Sequence, residues 1–365
     1  MSTEHFPPGH DRGPTRARRP RLEDVAAAVG VSTASVSLVL RGVPGPSAAT
    51  RERVLEAAAR LGYRPDRTAS LLARRRSRLI GVLMDVRSPY QAELVEDLHE
   101  VADRLGYDVV LSTVTRGRHE RRAVETLVDS RCEALVLIGS DAPAVELAAL
   151  DRQVPVVVLG RPLPGGRTSG GAHPGVDLGV DVVRVADDDG VGLAVAHLAD
   201  LGHRAIVHLD GGQGSISAGR RRGYAVAMRR RGLAPTVLTG ERTEEAGTRA
   251  ARALLAAAAS NATALPTAVV AFNDRAAVGL LDALTRAGVA VPGAVSVVGY
   301  DDSALARLAH IDLTTVSQNP PLQAEHALAA VVERLDEGRT AHREVVLPPR
   351  LVVRGTTAPP RAEVP

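Results

Sequence analysis

Seven side chains with binding chemistry stand at or just beyond apolar runs that read as strands, or at the start of the helical stretch that follows. Asp85 follows "LIGVLM", and "SPY" (88–90) then opens an amphipathic stretch carrying Tyr90. Phe272 closes "AVVAF" and Asn273 follows it, Asp301 follows "VSVVGY", and Gln318 follows "LTTVS". Arg220 lies three residues before "GY" (223–224), at the start of a helical stretch. In alternating β/α proteins, ligands bind beyond the carboxyl ends of the strands, which makes these groups candidates for one site. Carboxylates and amides can each bond several hydroxyl groups, and Arg220 adds a planar fork of donors. Tyr90 and Phe272 are the rings available to pack against a flat ligand face. Plainer roles compete: Asp85, Asn273 and Asp301 as turn or cap residues, Asp274 as a helix cap, Arg220 on a helix surface, and Tyr90 in ordinary packing.

Other constellations carry less. "ADDDG" (186–190) resembles a cation site, but it precedes a helix, where negative side chains are favourable. "DGGQGS" (210–215) lacks the G-x-G-x-x-G spacing and any P-loop lysine, and reads as a tight turn. His197, His203 and His208 have no zinc-ligand spacing. No Ser–His–Asp or Cys–His order stands out. The sequence therefore calls for no cofactor and no metal.

The elements that must position these groups fall into two parts. Leu22, Val25, Ala26 and Val29 mark one face of a short helix that Gly30 stops. Ser32 can cap a second helix, with Val31 and Val36 as a hydrophobic staple. Ser47 can cap a third, carrying Val54, Leu55, Ala58 and Leu61 and ended by Gly62. Three short helices with a tight first turn match a helix-turn-helix domain. "YRPDRTASLLARRRS" (63–77) follows, with Asp66 able to cap a short helix ahead of a basic linker. Beyond Arg78 the period changes. Apolar runs at 79–84, 109–114, 134–138, 154–159, 182–185, 205–209, 237–239, 268–272 and 295–299 read as strands. Helical stretches lie near 89–105, 119–130, 142–151, 190–201, 218–231, 243–260, 274–287 and 321–336. So many strands exceed one ordinary parallel sheet and predict two Rossmann-like lobes. "RPLPGGRTSGGAHPG" (161–175) reads as a surface loop and "VVLPPRLVVRGTT" (345–357) as one extended segment.

Composition agrees with a soluble, globular chain of 365 residues, 45% hydrophobic and 24% charged. Aromatic residues are only 2%, so the cores must be aliphatic. No run of apolar residues is long enough to span a membrane, and the first twenty residues are Pro- and Arg-rich with no secretory signal. The single Cys132 fits a reducing cytoplasm. All 45 basic residues are Arg. Residues 1–78 hold 15 of them against 7 acids, whereas residues 79–365 hold 30 against 35. A basic head on an acidic body points to a polyanion partner.

The combination of "LEDVAAAVGVSTASVSLVL", "TRERVLEAAARLGYRPDRTASLLA", "HLADLGHRAIVHLDG", "RRRGYAVAM", "AFNDRAAVGLLDAL", "VSVVGYDD" and "LTTVSQ" resembles the LacI (lactose repressor) family across residues 21–357. The resemblance implies a homodimeric regulator that binds a pseudo-palindromic double-stranded DNA operator. It implies an all-α helix-turn-helix head, a hinge helix, and a two-lobed α/β core like a periplasmic sugar-binding protein. The corresponding divisions are a disordered basic arm (1–20), the head (21–62), the hinge (63–77), the effector and dimerisation core (78–357) and a tail (358–365). Thr33, Ala34 and Leu38 occupy positions that usually contact bases in the family, but they depart from its common Gln, Asn or Arg. On a helical wheel Val36, Val39 and Leu40 point inward, and Ala34, Ser37 and Leu38 outward. Methyl groups can meet thymine methyls, and Thr33 or Ser37 can form single hydrogen bonds. Ser32, Thr50, Arg51 and Arg67 could hold phosphates. Leu72 matches the family's minor-groove wedge and Ala69 the small residue beside it. Asp85, the "SPY" segment with Tyr90, Arg220, Asn273, Asp301 and Gln318 match the family's effector positions, with Phe272 a further ring available to pack, and a sugar is the implied effector. A solute receptor with the same core, or an α/β enzyme, are the rival readings at this level.

Overall fold

The computed structural model describes residues 20–40, 42–63, 76–163, 179–261 and 263–361. The chain divides into two compact units, Met1–Ser77 and Arg78–Pro365.

In the first unit, α1 (Leu22–Val29) ends at Gly30, whose φ of 73° lets its N–H turn back to Ala26 O. That left-handed turn is cheap only for glycine, and it sets α2 (Thr33–Leu40) at 105° to α1. The Ser32 Oγ accepts from Ser35 N at 3.2 Å and caps α2. The Ser47 Oγ accepts from Thr50 N at 3.2 Å and caps α3 (Ala48–Leu61). Val25, Val36 and Val54 are fully buried where the three helices meet. Leu55 departs from expectation and is 49% exposed. Val54, Ala57, Ala58 and Leu61 follow the i, i+3, i+4, i+7 stripe that faces the core, and Leu55 lies one step round the helix from it. Hinge residues 64–75 lie outside the described residues, and with them Arg67, Ala69 and Leu72.

The second unit holds two six-stranded sheets. The first contains β1 (Leu79–Asp85), β2 (Asp108–Val114), β3 (Ala134–Ile138), β4 (Val156–Leu159), β5 (Asp181–Val185) and β11 (Glu344–Leu347). They run parallel in the order β11-β5-β4-β3-β1-β2. The second sheet contains β6 (Ile206–Leu209), β7 (Thr236–Leu238), β8 (Ala268–Ala271), β9 (Ser296–Asp301), β10 (Thr314–Ser317) and β12 (Arg350–Val352). Its order is β12-β10-β9-β8-β6-β7, with only β12 antiparallel. Helices cover both faces of each sheet, which is why the central strands are continuous apolar runs. The first sheet packs α4 (Pro89–Leu105) and α11 (Pro320–Leu335) on one face, and α5 (Glu120–Asp129) and α6 (Ala144–Asp151) on the other. The second sheet packs α7 (Asp187–Asp200) and α8 (Ser215–Arg230) against α9 (Glu244–Ala259) and α10 (Asp274–Arg286) across it. α9 and α10 touch at Gly247 and Gly279, where a Cβ would lie 1.9 Å from Ala276 O and Glu244 O respectively.

The chain passes between the lobes three times: after β5 at Ala186, after β10 at Gln318–Asn319, and after β11 at Pro348–Pro349. The segment 345–357 is therefore not one extended piece. It is two strands in different sheets, broken where two prolines cannot continue a ladder. The expected tail also begins later than residue 358. Ala358 exchanges hydrogen bonds with Ser296 at 3.1 Å, and its carbonyl lies 2.9 Å from His203 Nε2. His197 meets Thr357 Oγ1 at 3.0 Å. At the opposite end of the first lobe from the strand carboxyl ends, Asp151 and Asp181 bind Arg334 at the end of α11. Asp181 also binds Arg339, and Asp151 meets His342.

Candidate functional site

The carboxyl ends of both sheets face one another across the three crossings, and the second lobe's wall is built on Arg220. Its guanidinium is buried between two rings, 3.5 Å from the Tyr300 centroid and 4.5 Å from that of Phe272. Nε donates to Asp187 Oδ1 at 2.8 Å, Nη1 to Phe272 O at 2.5 Å, and Nη2 lies 3.9 Å from Asp301 Oδ1. Burial opposes the charge, but Asp187, Tyr300 and Asp301 outweigh it and raise the pKa. Arg220 thus ties α7, α8, β8 and β9 into one rigid surface.

Asp301 ends β9 with φ 120°, a region L-residues avoid, and Asp302 follows at φ 56°. Its Oδ1 accepts from Gln318 Nε2 at 2.7 Å. Burial pushes the Asp301 pKa up to about 8, with Asp274 adding to the effect and Arg220 opposing it. Gln323 Nε2 bonds both Gln318 O at 2.8 Å and Tyr90 OH at 2.6 Å. A hydrogen-bonded chain therefore runs from Asp301 in one lobe through the second crossing to Tyr90 in the other.

Four of the seven candidate residues, Arg220, Phe272, Asp301 and Gln318, form one connected cluster, and Tyr90 joins it through Gln323. Asn273 takes a different part from a free binding group. It is the cap of α10, accepting from Ala276 N at 3.0 Å, while its amide donates to Arg242 O at 3.3 Å. Asp274 is not that cap. It is fully buried and accepts from Ser303 N, Ser303 Oγ and Thr315 Oγ1 at 2.6–2.9 Å. Phe272 does not present an open ring. A Cβ on Gly211 would lie 2.3 Å from it, Arg220 covers it, and Arg242 lies 5.9 Å from its centroid. Asp85 sits on the first lobe's wall with both oxygens held by Arg87 at 2.8–3.0 Å. Burial works against its charge, and Arg87 nevertheless holds its pKa below the ordinary value.

Sequence reasoning missed Asp187, Tyr300, Gln323 and Arg161. Asp187 was legible as part of a helix start but not as the partner of Arg220. The run 187–189 is the first turn of α7 rather than a loop ahead of it. Arg161 and Leu163, expected in a surface loop, are buried at 7% and 3% exposure. Arg161 donates to Ala142 O, and its Nε has no partner among the described residues. Residues 164–178 of that loop lie outside the described residues. Among the described residues no group of His, Cys, Asp or Glu is placed to hold a metal, and no single helix is long and apolar enough to cross a membrane. A cavity of about 580 Å³ lies away from the Arg220 cluster, between α5 and α6, with Val124, Val128, Leu147 and Leu150 in its lining.

On the first unit Ser32, Thr33 and Ala34 are exposed, and Ser37 and Leu38 half-buried. The Thr50 hydroxyl lies 2.9 Å from Ser47 Oγ, and Arg51 donates to Val43 O at 3.1 Å. Both are thus anchored at the start of α3, half-buried.

A helix-turn-helix unit followed by a two-lobed receptor core defines a ligand-responsive DNA-binding protein. Residues 21–66 match the bacterial regulatory proteins of the lacI family, and residues 195–357 a periplasmic binding protein-like domain. The chain is 31% identical over 349 residues to the HTH-type transcriptional regulator GalR of Escherichia coli, covering 94% of this chain and 97% of the relative. It is similar to the crystal structure of the lac repressor dimer bound to operator and the anti-inducer ONPF. That match has a TM-score of 0.76, 30% identity, and coverage of 93% of this chain and 100% of the other. It is also similar to a CelR–cellobiose complex, with TM-score 0.66, 29% identity, and 93% and 100% coverage. The chain belongs to the LacI family of transcriptional regulators. It is a DNA-binding regulator with an effector-binding core.

Proposed function

We propose that this regulator is a homodimeric repressor whose operator binding is controlled by a sugar seated between the two lobes, and that it catalyses no reaction. The observation that carries this reading is the buried cluster around Arg220. Asp301 and Gln318 offer acceptors and donors in fixed positions, and Arg220 is locked by two rings and a carboxylate. Such a rigid, mixed set suits the several hydroxyls of a sugar, whose orientation it would define. The cellobiose complex of the similar CelR supports a sugar, and the operator-bound lac repressor dimer supports the DNA partner and the dimer.

On the DNA side, α2 would lie in the major groove and read thymine methyls and shape through Thr33, Ala34, Ser37 and Leu38, which include no bidentate guanine reader. Ser32, Thr50, Arg51 and Arg67 would hold phosphates, and Leu72 with Ala69 would open a base step at the operator centre. An effector that prefers one arrangement of the lobes shifts the DNA-binding equilibrium only by its differential affinity. Operator and effector must then weaken each other by the same factor.

A thermal-shift screen of the full chain with galactose, lactose, maltose and cellobiose tests the core. A sugar at a hundred times its Kd adds about 2.7 kcal/mol of stability. Asp301→Ala is expected to lose that shift while operator binding persists. If the variant keeps the full shift, the site assignment is wrong.

A further inference from the structure

Beyond the groups that would face the effector, one carboxylate of the first lobe reaches across to the segment that carries Asp301. Glu93 stands one turn along α4 from Tyr90, on the same face of the helix. Its Oε1 accepts from Ala304 N at 2.5 Å, and its Oε2 from Arg307 Nη2 at 2.5 Å. Both partners belong to the turn that leaves β9 through Asp301 and Asp302. Within its own lobe that turn is fixed by Asp274 on Ser303, by Arg354 on Asp302 Oδ1 at 2.6 Å, and by Arg307 Nη1 on Asp302 O at 2.5 Å. The Glu93 side chain is 24% exposed and that of Arg307 48%. The two bonds are therefore charge-assisted and partly shielded, yet available to break. Another ion pair between the lobes among the described residues, Asp141 with Arg242, is longer at 3.8 Å.

We propose that Glu93 is a positioning residue: it clasps the 302–307 turn only when the lobes are together, so that lobe closure and the presentation of the Asp301 carboxylate are one event. The reasoning is geometric. Asp301 and Asp302 both hold left-handed φ values, a conformation that persists only where surrounding bonds over-determine it. The bonds from Asp274, Arg354 and Arg307 Nη1 lie inside the second lobe and move with it. The Glu93 bonds do not, because their acceptor rides on α4. Opening the lobes removes an acceptor from Ala304 N and a counter-ion from Arg307 together. The clasp therefore stabilises the closed arrangement without touching the effector, and sets the fraction of molecules already competent to bind it. This rests on the assignment of the effector site to the same cleft.

Amide hydrogen exchange on the full chain, without any added sugar, tests the clasp apart from the effector. In the native protein the amides of residues 303–307 are expected to exchange slowly. Glu93→Ala is expected to speed the exchange of Ala304 by at least tenfold, with Ser303, β8 and α10 unchanged. Glu93→Gln should give an intermediate rate, since it keeps an acceptor for Ala304 N and loses the charge. The exchange of partners in the double variant Glu93→Arg with Arg307→Glu should restore part of the protection. Unchanged exchange in Glu93→Ala overturns the proposal, and so does acceleration spread evenly through both lobes. Should a sugar be found in the screen above, its Kd is expected to rise several-fold in Glu93→Ala, and an unaltered Kd likewise overturns the coupling. If none of the four sugars binds, the exchange result still decides the clasp, and only the effector assignment falls.

Discussion

At the scale of single residues, the site is a balance between one buried cation and several buried carboxylates. Asp187 satisfies Arg220 at 2.8 Å, and Asp301 stands farther off at 3.9 Å. Asp301 is therefore the group whose charge is least supported, and its pKa rises to about 8 from an ordinary 3.8 because burial disfavours the anion. An acid with a raised folded pKa holds its proton more tightly when folded. Its contribution to stability is complete below pH 4 and is lost as the pH climbs to about 8. Each proton so linked changes stability by at most about 1.4 kcal/mol per pH unit. Urea denaturation between pH 5 and pH 8 is expected to show this decline in the free protein and a flatter profile in Asp301→Asn; parallel profiles would contradict the assignment. Strand ends marked Asp301 and Gln318 and a helix start marked Arg220, and the structure brings these three side chains together. Such reasoning could not find Asp187, whose role depends on α7 and α8 lying side by side. Nor could it tell that the Asn273 amide caps a helix, since Asn and Asp at positions 273 and 274 are equally good caps on paper.

At the scale of elements, helices with clean amphipathic stripes were the most legible, and α4 has the limits expected for it. The short strands β11 and β12 were not separated from their surroundings, and β10 was read only as the run ahead of Gln318. Three or four residues carry too little period, and neither "TTVS" nor "EVVL" says which of two sheets it joins. Leu55 misled because adjacent apolar residues offer two possible stripes, and only packing chooses between them. The contact of α9 with α10 was equally silent, since glycines in helices read as weaknesses until the partner is known. Gly279→Ala places a methyl against Glu244 O and is expected to cost about 1–3 kcal/mol. Equilibrium unfolding in urea measures that cost, and a loss near zero would mean the two helices can part freely.

At the scale of the whole molecule, charge is divided as function would require. The first 78 residues carry an excess of 8 positive charges and the remainder an excess of 5 negative ones. DNA binding should therefore fall more than about tenfold between 50 and 200 mM salt, as counterions released from phosphates oppose it. Effector binding, measured by calorimetry on the same preparation, should change little. Equal salt dependence of both would argue against a division of labour between the head and the core. The three crossings carry a different consequence, for the order in which the molecule is made. The first lobe draws α11 from residues 320–335 and its edge strand β11 from residues 344–347. As the chain leaves the ribosome, the head can fold after some sixty residues. The first lobe must wait, with one face of its sheet covered by α4 alone, until nearly all of the second has emerged. A lobe that comes first in the sequence is thus among the last parts to be completed, and newly made chains pass through a long interval in which its apolar surface needs protection.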